Sequence, residues 1–336
     1  MKIGLVFSGQ GAQYPGMGRD LCENSPEAAA VFDAAGDEIR KLCFDGTKEQ
    51  LAQTRVTQPT IYTVTMAAYE AFMASMRKAG LSEITEVTGR AGFSLGEYAS
   101  LTSAGVIDDI RKGLEIVEKR GVFMQEAGQD ENGENISGMT AALGRRAAVL
   151  DAVEKAALET GMVIEAVNFN TASQTVVAGE KPALEAFARI AKENRIKAIP
   201  LSVSTAFHCA LMKPAAERLL PVLQAAELKY PDAQGILYSD STARDIMDGY
   251  EGDPDDAEAA GGYLAEMMAA QAMSPVHWQE ITEDMAARGA KAIIEFGPGK
   301  TLTGFTKKNA RGVLALHVED TESLDETIRA LSENAG

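Results

Sequence analysis

Gly92, Phe93, Ser94, Leu95 and Gly96 set a hydroxyl between two glycines, where a short apolar segment gives way to a run of small residues. That spacing suits a nucleophile elbow, a sharp strand-to-helix turn that lifts the serine oxygen to a helix N-terminus beside a backbone N–H able to meet an oxyanion. The plainer reading is a glycine-lined helix start capped by serine. A nucleophilic serine needs a base, and the chain has three histidines. His317 lies in the apolar run 313–318 and reads as a packed sheet residue. His277, in SPVHW, reads equally as a site residue or a helix start. His208, in AFHCALMKP, stands at the expected crossing between two structural units, where clefts form, and is the first choice.

Arg120 is the other residue with a chemical implication. At 100° per residue, Ile107, Ile110, Leu114, Ile116, Val117, Phe123 and Met124 fill one arc of a helix, and Arg120 falls inside it. An inward guanidinium is costly unless an anion meets it: a buried Asp or Glu, the commoner arrangement, or the carboxylate of a substrate. Two glycine loops invite a phosphate-binding reading and fail it. Gly9-Gln10-Gly11 continues to Tyr14 where the dinucleotide fingerprint needs glycine, and Gly299-Lys300-Thr301 is preceded by Ile294 where a P-loop needs glycine.

The elements that must hold these residues alternate. Residues 3–7 read as a first strand followed by the glycine loop and a helix over 28–39; a long helix over 60–79, a strand over 87–93 and a small-residue helix over 96–104 follow. This is the α/β pattern with a largely parallel sheet. Residues 136–204 change rhythm, with strands at 138–143, 163–169, 174–178 and 198–203 and helices at 146–159 and 182–193. The order βαββαβ predicts an inserted ferredoxin-like subdomain. The large domain then comprises 1–135 and 205–336, resuming with a helix over 213–225 and a strand over 292–296.

Composition fits a globular protein: 336 residues, 46% hydrophobic, 24% charged, mean hydropathy −0.11. No apolar run is long enough for a membrane span, and the five apolar residues at the start are too few for a signal peptide, so a cytoplasmic location is expected. Cys22, Cys43 and Cys209 suit neither a disulfide framework nor a zinc site. A net charge of −17 argues against nucleic acid or an anionic membrane as partner. Eight acidic residues against one Arg fall within 240–262, which reads as a solvated acidic loop.

Eight segments in order, GQGAQ, TQPTIYT, GFSLGEYASL, EKRGVFMQEA, VNFN with VVAG, AFHCALMKPA, SPVHW and EFGPGKTLTG, resemble the malonyl-CoA:acyl carrier protein transacylases over nearly the whole chain. The resemblance implies an α/β-hydrolase-like domain carrying a ferredoxin-like subdomain, with the active site between them. It implies Ser94 as the acylated nucleophile and His208 as its base. The imidazole would be oriented by a backbone carbonyl at position 277, and the backbone N–H groups of Gln10 and Leu95 would form the oxyanion hole. Arg120 would pair with the free carboxylate of malonate.

The partners implied are malonyl-CoA and acyl carrier protein, in fatty acid biosynthesis or a polyketide pathway, with no metal or redox cofactor. Phe93 replaces the family's usual His, and His277 its usual Gln, both in the implied substrate pocket. Phe207, in the triplet Ala206-Phe207-His208, resembles malonyl-selective polyketide synthase acyltransferases. Docking of the acidic carrier protein would fall to Lys192, Arg195 and Lys197 with Lys300, Lys307, Lys308 and Arg311. A thioesterase or esterase using the same Ser-His pair, or an inactive carrier-protein scaffold, are the competing functions.

Overall fold

The computed structural model describes residues 1–203 and 205–334. Ser204, where the expected subdomain ends, and residues 335 and 336, where the expected large domain ends, lie outside the described residues. The strands are β1 (Lys2–Phe7), β2 (Glu86–Gly92), β3 (Ser137–Leu143), β4 (Ile164–Thr171), β5 (Gln174–Glu180), β6 (Lys197–Pro200), β7 (Ile236–Tyr238), β8 (Ala292–Phe296) and β9 (Leu314–Val318). Five of them form a parallel sheet in the order β7-β2-β1-β8-β9. Its central strands are buried along almost their whole length, as expected when helices cover both faces. Ile3, Leu5 and Phe7 face one helical layer; Val6, Ala91 and Ile293 face the other, with Trp278 and Phe305.

β3 to β6 form a separate antiparallel sheet in the order β4-β5-β3-β6, the ferredoxin-like arrangement. Alternation along β5 gives this sheet two apolar faces. Val177 points to the helices Arg146–Thr160 and Lys181–Glu193, where Val149 and Phe187 complete a small core. Val176 and Ala178 point the other way, into a seam with Val167, Met124, Phe207 and Met212 that joins the two units. A backbone link crosses the same seam: Phe169 N–H donates to the Val276 carbonyl at 2.8 Å and Val276 N–H to the Val167 carbonyl at 2.7 Å.

Several boundaries differ from the sequence reading. The expected helix over 28–39 is two, Pro26–Ala35 and Asp37–Asp45, broken at Gly36. The long helix starts at Thr54 and carries Pro59 within it. Two of its buried threonines turn their hydroxyls back onto the preceding turn, Thr60 to the Val56 carbonyl at 2.8 Å and Thr63 to the Pro59 carbonyl at 2.9 Å. β6 ends at Pro200 instead of 203, with one further link to β3 from the Leu201 N–H to the Met139 carbonyl at 2.9 Å. The supposed acidic loop begins at Asp240, fully buried two residues past β7, and ends in the helix Ala257–Gln271; its wholly exposed acidic stretch runs over 251–259.

The elbow itself depends on close approach. A Cβ on Gly92 would overlap the backbone of Gly96 and Glu97, and one on Gly96 would overlap the Phe7 carbonyl at the end of β1. The helix Gly96–Ser103 can therefore start directly against the sheet. Gly96→Ala should lower the unfolding free energy by about 3 kcal/mol or more, read as a shift of the urea midpoint.

Candidate active site

Ser94 occupies left-handed backbone, φ 54°, at the tip of the turn between β2 and the helix Gly96–Ser103. Non-glycine residues reach this region at a cost of roughly 1 kcal/mol or more, and the surroundings must impose it. Here the imposing group is Asp240, whose Oδ2 accepts the Ser94 N–H at 2.7 Å. His208 is held in the same backbone region, φ 63°, with its N–H on the Ala272 carbonyl.

The imidazole bridges the two halves of the site. His208 Nε2 lies 2.7 Å from Ser94 Oγ, and Nδ1 lies 2.9 Å from the Ser274 carbonyl and 3.2 Å from the Gln271 carbonyl. Two carbonyl acceptors at Nδ1 require the proton there, which leaves the Nε2 lone pair to accept from the Ser94 hydroxyl. Burial, and after it the Arg120 charge, lower the imidazole pKa to about 4, so it stands neutral and ready to take a proton at ordinary pH.

Arg120 projects from the helix Ile110–Ala127 and is 1% exposed. Its Nη2 donates to the Gln271 side-chain oxygen at 3.0 Å and reaches Ser94 Oγ at 3.4 Å, and its guanidinium lies 5.3 Å from the centre of the Tyr98 ring. Among the described residues no Asp or Glu lies within salt-bridge distance of it, and its Nε has no partner. Of the two fates open to an inward Arg, the internal carboxylate contact is thus not the one taken. The Gln10 and Leu95 N–H groups also donate to no protein group among the described residues. Ser8 anchors the Gln10 loop through its N–H on the Phe296 carbonyl and its hydroxyl on Glu295 at 3.1 Å.

Other expected site residues stand elsewhere. The carbonyl facing His208 is not that of His277, which accepts the N–H of Ile281; those of Gln271 and Ser274 serve instead. His277 caps the helix Trp278–Ala287, donates its N–H to the Asp240 carbonyl and stacks its ring against Phe169 at 5.3 Å. Phe93 turns to the far face of the sheet, against Trp278 at 5.3 Å and Phe305 at 6.4 Å, away from the helix of Arg120. Phe207 is buried in the apolar seam next to His208. His317, which the sequence reading took as a sheet residue and not a site residue, lies in β9, 3.6 Å from Glu319.

Three buried residues that the sequence reading did not assign to the site complete it: Glu97, Asp240 and Gln271. Gln271 Nε2 donates to the Ser94 carbonyl at 2.9 Å, to Glu97 Oε2 at 2.9 Å and to Asp240 Oδ2 at 3.2 Å, while Asp240 N–H donates to Glu97 Oε1 at 3.3 Å. Burial pushes Asp240 up to about 6, against the lowering effect of its hydrogen bonds; burial and the neighbouring Asp240 charge raise Glu97 well above the usual carboxylate range.

A serine, a neutral imidazole, free N–H donors and an inward cation are the parts of an acyl-transfer site for an anionic acyl group. A family model described as acyl transferase domain matches residues 5–334. The malonyl CoA-acyl carrier protein transacylase of Bacillus subtilis (strain 168) is 36% identical over 337 residues, covering 99% of this chain and 98% of that protein. The chain belongs to the malonyl-CoA:acyl carrier protein transacylase family. The crystal structure of the Clostridium perfringens transacylase superposes with a TM-score of 0.86 at 34% identity, covering 99% of this chain and 98% of that one. A malonyl-transacylase solved in complex with a type II PKS acyl-carrier protein gives 0.84 at 33% identity, covering 98% of this chain and all of that one, 100%. In this transacylase site His277→Ala should change acyl transfer by less than about threefold, whereas Gln271→Ala, which unties Arg120, Ser94 and both acids, should cost about tenfold or more in kcat/KM for transfer to carrier protein.

Proposed function

We propose that this protein moves a malonyl group from malonyl-CoA to the phosphopantetheine thiol of acyl carrier protein by way of a malonyl-Ser94 ester. The observation that carries the reading is Arg120, buried beside Ser94 Oγ with no acidic partner within salt-bridge distance among the described residues. His208 Nε2 takes the Ser94 proton as Oγ bonds to the thioester carbon, and the oxyanion rests on the Gln10 and Leu95 N–H groups. The C–S bond then breaks, the imidazolium returns the proton to the CoA sulfur, and the ester remains. The carrier-protein thiol repeats the sequence in reverse, giving its proton to His208 and restoring the Ser94 hydroxyl. Bonds and protons balance without a metal or redox cofactor.

Arg120 supplies selectivity. A carboxylate can complete the guanidinium's hydrogen bonding, whereas an acetyl group leaves it buried and unpaired. The three free cysteines suit the cytoplasm, and no helix among the described residues is long and apolar enough to cross a membrane. Lys192, Arg195 and Lys197 on the small unit and Lys300, Lys307, Lys308 and Arg311 on the large one are exposed and available to an acidic carrier protein.

Intact mass after incubation with a panel of acyl-CoA thioesters tests the reading. Wild type should gain one malonyl group and pass it to holo carrier protein, and Ser94→Ala should gain none; release of free malonate without malonyl carrier protein would make the protein a thioesterase. Arg120→Ala should lose malonyl transfer by about 100-fold or more and improve relative to wild type on acetyl-CoA. Charge reversal at Lys307 and Lys308 should raise KM for carrier protein and leave malonyl-Ser94 formation from malonyl-CoA unaltered, as measured by rapid quench.

A further inference from the structure

The chemistry above makes no use of the charge on two buried acids. Glu97, on the helix Gly96–Ser103, and Asp240, just beyond β7, are both fully buried and both accept from Gln271 Nε2, at 2.9 and 3.2 Å, which sets their carboxyl groups side by side. Two ionised carboxylates this close repel each other out of water, and burial raises both acids, so one of the two keeps its proton. The pair then holds one negative charge. Asp240 Oδ2 delivers it to the Ser94 N–H, and Gln271 relays it: its amide nitrogen bonds both acids and its oxygen takes Arg120 Nη2.

We propose that Glu97 and Asp240 are positioning residues for acyl transfer, a carboxyl–carboxylate pair whose single negative charge fixes the Ser94 turn and, through Gln271, holds the Arg120 guanidinium beside the nucleophile. The inference rests on the malonyl-transfer reading of the site. A carboxylate bonded directly to Arg120 would occupy the guanidinium and repel a second carboxylate; placed one amide away, the charge orients the cation and leaves Nε unpaired. The titratable groups facing the pair are Arg120 from the helix Ile110–Ala127, Tyr98 from the elbow helix and, beyond Arg120, His208. Tyr98 is pushed up to about 12 by burial and His208 is lowered to about 4, so both are neutral near pH 7 and Arg120 is the charge that the pair meets.

The sign of the pH effect follows. An acid whose pKa is raised regains its proton early as pH falls. The pair therefore takes up a second proton below about pH 6 and loses its charge, while His208 remains neutral until about 4. Malonyl transfer should show an acid limb near pH 6.

The test is kcat/KM for malonyl transfer to carrier protein from about pH 4 to about pH 8 in four proteins. Glu97→Gln and Asp240→Asn each keep one carboxylate bonded to an amide, and each should lose about threefold near pH 7.5. The double variant keeps the shapes and no charge; it should lose about 100-fold, far beyond the product of the single losses, and lack the limb near pH 6. Substrate ionisations are common to all four. A double variant no worse than that product, or one retaining the limb, overturns the proposal. If the double variant unfolds at the assay temperature, Asp240→Asn decides: a displaced limb supports the pair and an unmoved one refutes it. Malonyl-Ser94 formation by wild type is measured first, because its absence refutes the transfer reading, whereas acylation with unaltered variant profiles refutes the pair alone.

Discussion

A guanidinium taken out of water without a carboxylate beside it is the constraint around which this site is arranged. Desolvating Arg120 is tolerable because neutral groups share the load: the Gln271 oxygen, the Ser94 hydroxyl and the Tyr98 ring face. None neutralises the charge outright, so a demand for an anion persists next to the nucleophile. Burial, and after it the same cation, depress the basicity of His208, and an uncharged imidazole can accept the serine proton. In the proposed reaction one buried charge thus selects the acyl group and helps to keep the base neutral.

The two units meet at the atoms that matter. The segment from Gln271 to Val276 leaves a helix of the large unit, offers the Gln271 and Ser274 carbonyls to His208, and pairs with β4 of the small sheet at Val276, two residues after Ser274. The apolar seam containing Phe207 fixes that pairing. Orientation of the base is accordingly a property of the contact between units and belongs to neither alone.

The legible parts of the site were those set by local pattern. The elbow is five consecutive residues, and an Arg inside an apolar helical arc declares its direction through a 3.6-residue period. The βαββαβ order of the small unit was readable because its turns and periods alternate cleanly. What escaped was decided at longer range. Which carbonyl faces His208 depends on how the chain turns after residue 271, and the family resemblance put it at position 277, six residues on. Asp240 was averaged into an acidic run, although it directly follows a short strand at the carboxyl end of a parallel sheet, where sites of α/β proteins gather. Glu97 had a signal: an acid one turn after Ser94 in a helix otherwise made of small and apolar residues.

Both residues proposed to react sit where a side chain is a burden to the backbone. Ser94 and His208 adopt the left-handed conformation that glycine reaches freely. Glycine at either position would abolish the chemistry and relax the chain at that point. The working protein therefore carries a local conformational debt that an inert version need not carry, and selection for thermal resilience alone would drift toward a sturdier, silent molecule.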